Sequence, residues 1–333
     1  MQYETQDAER KTYSILKVLA NNTRPLGSLV IARRLKDHGV DLGARAVRYH
    51  LRLTDEHGLT RLAGFRDGRQ ITELGMQELK QAMVKEKVGF ALSRIELLTF
   101  MTTFDAEKRG GLLPVNVTFF DKRDFNRALK VMAPIFFSGF CTSSLVKVAG
   151  ENERIGDLTV PEGSMGLATV CSIVVNGTLL QAHVPMNSKF GGLLQMQERK
   201  PKRFVDLIHY AGCSLDPSEI FIRACMTSVS RAVKTGEGSI LANFREIPGV
   251  CRPIAQDVIA KLDKAKLNGV LAMGNISEPV CEMQMELNRV GMILMGGLNP
   301  VAAAQEAGIK LESYAMSTLL DYSGLVEFKE IPE

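Results

Sequence analysis

Four residues in one short stretch, Arg45, Arg48, Tyr49 and Arg52, have the types and spacing to read a nucleic acid. They fall at i, i+3, i+4 and i+7, so on a helix they share one face. An arginine offers a planar fork that bonds a guanine edge in the major groove, and further cations attract phosphates. Downstream, Arg66 and Arg69 bracket Asp67-Gly68, a favoured two-residue hairpin turn. That places two more cations at a hairpin tip, where they can reach phosphates or the minor groove. A basic helix face by itself also fits a merely solvated surface. The hairpin that follows it turns the reading towards double-stranded DNA.

A second set of residues suits a small anion. Glycine-rich stretches occur at Ser188-Lys189-Phe190-Gly191-Gly192, at Thr235 to Ser239, and at Gly296-Gly297-Leu298-Asn299-Pro300. Amides left free at a helix N-terminus bind anions, and Pro300 stands where a first-turn proline is favoured. Arg245 and Arg252 flank the stretch Glu246–Val250 and could fork a carboxylate. The candidate effector contacts are therefore Lys189, Gly191, Gly192, Arg245, Arg252, Gly296, Gly297 and Asn299. Any one of these glycines could instead serve only a tight turn.

Catalytic signatures are missing. There is no P-loop, GxSxG or HExxH, and Gly236-Glu237-Gly238 lacks the third glycine of a dinucleotide fingerprint. His183 and His209 each stand alone and read as core residues. The six cysteines form no CxxC pair and have no histidine at ligand spacing, so they read as small buried apolar residues. The expectation is a non-enzyme with no catalytic residue, metal or cofactor.

The elements that must position these residues follow from periodicity. Ala8, Thr12, Ile15, Leu16 and Leu19 mark a helix over Asp7–Asn21, and Ile31, Ala32 and Leu35 a second from Ser28 to His38. A third runs from Ala44 to His57, with Ala44, Val47, Leu51 and Thr54 facing in. Strands Leu59–Ala63 and Gln70–Thr72 then form the hairpin. Three helices and a hairpin with a basic tip are the order of a winged helix. A closing helix is expected from Thr72 to about Lys87. An amphipathic helix over Phe90–Phe104 would serve as linker or dimer contact.

From Gly111 onward strands and helices alternate. Strands are expected at 115–120, 145–148, 167–175, 179–184, 193–197, 240–244, 270–273, 291–295 and 314–319. Helices are expected at 124–137, 202–210, 252–267 and 300–307. The run Gly192–Met196 and its following helix parallels Gly291–Met295 and its own, which reads as a degenerate duplication. The fold class is thus α+β: a winged helix over residues 1–82, a helical segment 83–110, and a regulatory domain 111–333. That domain is expected to hold two ferredoxin-like βαββαβ repeats, about 111–228 and 229–333.

Charge agrees with this division. Residues 1–90 carry 16 Lys and Arg against 11 Asp and Glu, whereas the remainder carries 25 against 26. A basic segment on a near-neutral body suits a polyanion bound at one end. The most apolar stretch, 131–149, is broken by Pro134 and Lys147 and is too short for a membrane span. Charged residues Asp7, Glu9, Arg10 and Lys11 near the start fit no signal peptide. A cytoplasmic protein with no membrane partner is expected.

Several runs carry a family resemblance. Arg45–Leu51 through Gly58-Leu59, with Ile71–Gly75 after the wing, is similar to bacterial and archaeal winged-helix regulators. The Ser188–Gly192 stretch, the Pro201–Phe204 run (read as a helix start), and the Ser214–Pro217 and Glu219–Ile222 segments resemble the NrpR-type nitrogen regulators. Gly238–Pro248 is the most distinctive run in that likeness. One winged helix reads only a short half-site, so a homodimer on a palindromic operator is expected; the resemblance implies a repressor of nitrogen-assimilation genes that releases DNA when 2-oxoglutarate binds. Some members carry two regulatory domains; this chain has one. Two alternatives stay open: a regulator that senses an amino acid, and a metabolic enzyme with an appended winged helix.

Overall fold

A computed structural model describes residues 2–20, 22, 24–37, 40–64, 68–81 and 88–331. The chain divides into two compact units, Met1–Glu86 and Lys87–Glu333. No helix among the described residues is long and apolar enough to cross a membrane.

The first unit runs α1 (Gln2–Ala20), α2 (Ser28–Asp37), α3 (Ala44–Glu56), β1 (Thr60–Gly64), β2 (Gly68–Ile71) and α4 (Glu73–Gln81). Ile15 and Leu19 of α1, Ile31 and Leu35 of α2, and Val47 and Leu51 of α3 interlock as one small core. β1 and β2 pair antiparallel, with Gly64 opposite Gly68. Gly68 is therefore a strand residue and not half of a two-residue turn, and Asp67 lies outside the described residues. The outer edge of β2 is taken by a bridge between Arg69 and Leu26. Gly68 has φ +91, and a Cβ on it would stand 2.4 Å from the Leu26 carbonyl, so only glycine lets the two backbones approach.

The second unit contains α5 (Phe90–Met101), β3 (Leu112–Asp121), α6 (Phe125–Phe137), β4 (Leu145–Ala149), the small pair β5 (Arg154–Ile155) and β6 (Leu158–Thr159), β7 (Ser164–Val170) and α7 (Ile173–Gln181). It continues with β8 (Asn187–Gln197), β9 (Lys200–His209), α8 (Pro217–Arg223), α9 (Val229–Thr235), β10 (Gly238–Pro248), α10 (Arg252–Lys264), β11 (Val270–Met273) and β12 (Arg289–Met295). Last come α11 (Asn299–Glu306), β13 (Leu311–Asp321) and β14 (Val326–Glu327). Helix α5 belongs to this unit: Ala91, Ile95 and Leu98 share a cluster with Ile173 and Tyr210.

Two five-stranded antiparallel sheets result, ordered β13-β3-β7-β4-β14 and β11-β12-β10-β8-β9. Each draws on both halves of the sequence. β13, near the C-terminus, pairs along β3, and β8 pairs along β10. The halves therefore correspond as β3-α6-β4-β7-α7-β8 and β10-α10-β11-β12-α11-β13, each lending its last strand to the other's sheet. Two self-contained repeats divided near residue 228 do not describe this pairing. Nor is Gly192–Met196 the counterpart of Gly291–Met295: the first lies in lent strand β8, the second in β12.

Two local expectations also change. Residues 202–209 lie in strand β9 instead of a helix, because Glu198 and Arg199 both take positive φ (51 and 64) and fold it directly back on β8. Residues 173–181 are helical, where strands and a turn at Gly177 were expected. A Cβ on Gly177 would meet Thr102 Cβ at 2.4 Å, so this glycine admits a neighbouring segment against the helix. The cores are shared as well: Val115 and Val117 of β3 cluster with Ala255 and Leu262 of α10 and with Met292 of β12.

Candidate functional site

In the first unit, α3 carries the basic face. Val47, His50, Leu51 and Thr54 point inward and are buried, while Arg45, Arg48, Tyr49 and Arg52 are exposed. Ala44, expected to face in, is only half-buried, whereas His50 is buried with its Nδ1 3.3 Å from Thr12 Oγ1 on α1. Its ring meets Tyr49 edge-on at 5.5 Å, which fixes how the exposed tyrosine leaves the helix. Arg52 is 3.5 Å from Glu56, both well exposed, so this contact is weak. Arg45 and Arg48 are the cations most open to a phosphate or a base edge.

The wing residues separate. Arg66 lies outside the described residues. Arg69 Nε is 2.6 Å from Asp55 Oδ2 of α3, and Asp55 Oδ1 accepts from Thr60 at the start of β1. Arg69 therefore braces the hairpin against α3, with its side chain only 25% exposed. Arg61 on β1 points outward instead.

In the second unit, a cleft of about 310 Å³ opens where the two sheets exchange strands. Most of it is shallow, and its enclosed part holds about one water. Asn116 of β3 and Asn243 of β10 stand at matching places in the two halves, as do Cys171-Ser172 before α7 and Gly296-Gly297 before α11. The match extends to hydrogen bonds. The Cys171 amide donates to Pro114 O and the Gly296 amide to Leu241 O, each two residues before its asparagine. The amides of Gly297 and Leu298 donate to no protein group among the described residues. Two helix N-termini thus face one cleft, an arrangement that favours negative charge. A Cβ on Gly297 would lie 2.2 Å from Val170 O and 2.8 Å from Asn116 Nδ2, so nothing larger than glycine fits.

The symmetry is broken by Arg245, Tyr210 and Asp216. Arg245 is 1% exposed, its guanidinium lies 4.9 Å from the Tyr210 ring centroid, and its Nε and Nη1 have no hydrogen-bond partner. Tyr210 donates its hydroxyl to Asn243 Oδ1, and Asn243 Nδ2 donates to Ser172 Oγ. Asp216 caps α8 by accepting from the Ser218 amide at 2.8 Å. Burial pushes its carboxyl above the usual range, against the pull of Ser218 and Arg245. Burial also pushes the Cys171 thiol up to about 12 and raises the Tyr210 hydroxyl. The last wall is a bulge in β13. The Ala315 amide donates to Glu219 Oε1 and the Met316 amide to Asn116 Oδ1, while Arg94 of α5 donates to the Met316 and Ser317 carbonyls.

Of the expected effector residues, Arg245, Gly296 and Gly297 line this cleft. Gly191 lies inside β8, where a Cβ would meet Pro217 at 2.9 Å and the Tyr210 hydroxyl at 3.0 Å. Gly192 packs against Asp206 and Phe204. Lys189 pairs with Glu246 at 3.1 Å, and Arg252 donates to Gly274 O and to Asn275. Asn299 is buried and bonds both the amide and the carbonyl of Leu241, tying α11 to β10. Tyr210, Asp216, Asn116 and Asn243 were not singled out in the sequence. Asp216-Pro217 is a helix start, but nothing local marks it as facing an arginine some thirty residues away.

Comparison with known proteins follows the same division. The family described as NrpR regulatory domains NRD1 and 2 matches residues 88–327, and the ribonuclease R winged-helix domain matches 13–79. The global nitrogen regulator NrpRI of Methanosarcina mazei is 38% identical over 319 residues, covering 96% of this chain and 98% of that protein. The global nitrogen regulator NrpR of Methanococcus maripaludis is 30% identical, covering 93% of this chain and 54% of that one, so the chain spans about half of that longer relative. A crystal structure of a nitrogen repressor-like protein from Methanococcus jannaschii shares 28% identity at a TM-score of 0.61, covering 72% of this chain and 98% of that one. A regulatory-domain match through most of the chain, joined to near full-length similarity with NrpRI, shows that the chain belongs to the NrpR family of nitrogen regulators.

Proposed function

We propose that this protein is a DNA-binding repressor of nitrogen-assimilation genes whose second unit binds a small anionic metabolite, 2-oxoglutarate. The carrying observation is Arg245: a buried guanidinium with two nitrogens unpartnered, in a cleft faced by two helix N-termini. A buried guanidinium whose nitrogens lack acceptors is costly until acceptors complete it. A dicarboxylate with an adjacent keto group supplies acceptors for Arg245, for the Gly297 and Leu298 amides and for the asparagine amides. The cleft has room for about one water centre, so such a ligand must spread its walls, which gives binding a structural consequence. Helix α3 is the DNA-reading element, and a homodimer places two such helices on a palindromic operator. The raised Cys171 and Tyr210 leave no activated nucleophile in the cleft, which favours sensing over catalysis. We further read the second unit as two ferredoxin-like modules that share their last strands.

The test uses the full chain and its own promoter DNA. At about 100 times its Kd, 2-oxoglutarate should add roughly 2.7 kcal/mol of stability and weaken operator binding. Arg48→Ala should lose roughly 1–3 kcal/mol of operator affinity while keeping the 2-oxoglutarate response. Stabilisation by an amino acid instead would replace the effector. Unchanged operator affinity in the Arg48 variant would remove α3 from the interface.

A further inference from the structure

The cleft contains a group that a pure anion site would not have. Asp216 lines the same cavity as Arg245, is 8% exposed, and uses Oδ1 to cap α8. With both groups ionised, the buried charge is balanced before any ligand enters. A dianion then adds two negative charges to a region that already holds one, in surroundings where desolvation makes such an excess expensive. The groups near Asp216 supply little relief. Arg245 on β10 is the cation, and it is also the ligand's own partner. Glu219 on α8 is a second acid that Asp216 pushes towards its protonated form, and the Cys171 thiol after β7 and the Tyr210 hydroxyl and Cys213 thiol after β9, all raised by burial, add no positive charge. The β13 bulge contributes Ala315 and Met316, which carry no charge.

We propose that Asp216 makes effector binding proton-linked: when a dicarboxylate fills the cleft beside Arg245, Asp216 takes up one proton from solvent and donates it in a hydrogen bond to the ligand. This rests on the reading of the cleft as a 2-oxoglutarate site. The proton goes to a carboxylate oxygen of Asp216 and no other bond is made or broken. The carboxyl's raised tendency to hold a proton before binding points the same way. In its neutral form Asp216 also becomes a selectivity element, since a buried hydroxyl donor demands an acceptor from the ligand.

Calorimetric titration of the full chain with 2-oxoglutarate, in two buffers of different ionisation enthalpy and from about pH 6 to about pH 9, tests this by linkage. The expected result is uptake approaching one proton on the alkaline side, with Kd weakening by up to about tenfold per pH unit. Asp216→Asn keeps an oxygen to cap α8 and cannot titrate. It should bind without proton uptake and with Kd changing less than about threefold over the same range. Thermal unfolding without ligand confirms that the variant folds. Wild-type binding with no uptake at any pH, or an unchanged pH slope in Asp216→Asn, would overturn the proposal while leaving the effector site standing. No heat and no thermal shift with 2-oxoglutarate would overturn the effector reading, and this inference with it.

Discussion

Replacing Arg245 with methionine should make the ligand-free protein more stable and deaf to its effector. Two guanidinium nitrogens are buried without partners, and each such group costs roughly 1–3 kcal/mol. The contact with Tyr210 at 4.9 Å returns roughly 0.5–2 kcal/mol. Methionine fills much of the same volume without polar atoms, at a packing cost of roughly 1 kcal/mol. With Asp216 protonated the net gain is of order 1–3 kcal/mol; where Asp216 is ionised, the loss of its buried cation works against that gain. At roughly 2–4 °C per kcal/mol for a unit of this size, that is a rise in Tm of a few to about ten degrees. Asp216 sets the pH dependence. Burial holds its folded pKa above the unfolded value, so its contribution is fully present in acid and is lost as pH rises through the folded pKa. Losing Arg245 removes an influence that lowers that pKa, so the variant's advantage should be larger on the acid side and shrink towards alkaline pH. Differential scanning calorimetry on the full chain, with and without 2-oxoglutarate, reads both effects. An Arg245→Met protein destabilised by more than about 2 kcal/mol would show that the guanidinium is a net structural partner. A variant that keeps the ligand-induced shift would show that Arg245 is not the anion's contact. Either outcome refutes the reasoning.

Other consequences are quicker to check. Gly297→Ala places a methyl 2.2 Å from Val170 O, so it should cost roughly 1–3 kcal/mol by overpacking and abolish the 2-oxoglutarate shift; a variant that melts like the wild type and still responds would show that the turn yields freely. Cys141 and Cys171, both pushed up to about 12 by burial, should resist alkylation at neutral pH until the chain unfolds, whereas exposed Cys225 should be modified first by mass spectrometry. Labelling of Cys171 ahead of Cys225 would mean that the cleft opens widely without ligand.

How much could be read in advance depended on whether a signal was local. Helix α3 was legible because its face follows from spacing alone, and Arg45, Arg48, Tyr49 and Arg52 all emerge on it. The wing was legible as a hairpin, but the pairing of Arg69 with Asp55, fourteen residues back, was not. Strand β9 reads as a helix in the sequence because Lys202–Tyr210 lacks clean alternation. Bulges opposite Leu193-Leu194 and Gln195-Met196 disturb the period, and the strand is exposed along most of its length. Helix α7 was hidden in a run of Ile173, Val174 and Val175, residues favoured in strands, because burial overrode propensity. In the cleft, Arg245 and the Gly296-Gly297 turn were found by type. Lys189 and Arg252 have the same types but are committed to Glu246 and to the Gly274 carbonyl. Residue type identifies candidates for an anion site; only the partners already engaged decide among them.

The exchange of strands explains why the cleft lies where it does and why its filling would not stay local. A duplicated module that closed its own sheet would keep each helix N-terminus within its own half. Because β8 and β13 are lent across, the ends of β7 and β12 and both helix starts meet at one seam, and the wall between them is backbone from the partner module. That wall is the β13 bulge, where Met316 holds an unusual φ of +50. Such a conformation costs about 1–3 kcal/mol and persists only when its surroundings fix it. Asn116, Glu219 and Arg94 are those surroundings. Asn116 and Met316 line the cleft, so a ligand that spreads the walls acts on the restraints that hold the bulge. Arg94 connects the same carbonyls to α5, the first helix of the second unit and the element through which the chain enters it from the winged helix. The bulge and α5 are thus tied together by two hydrogen bonds from a single guanidinium.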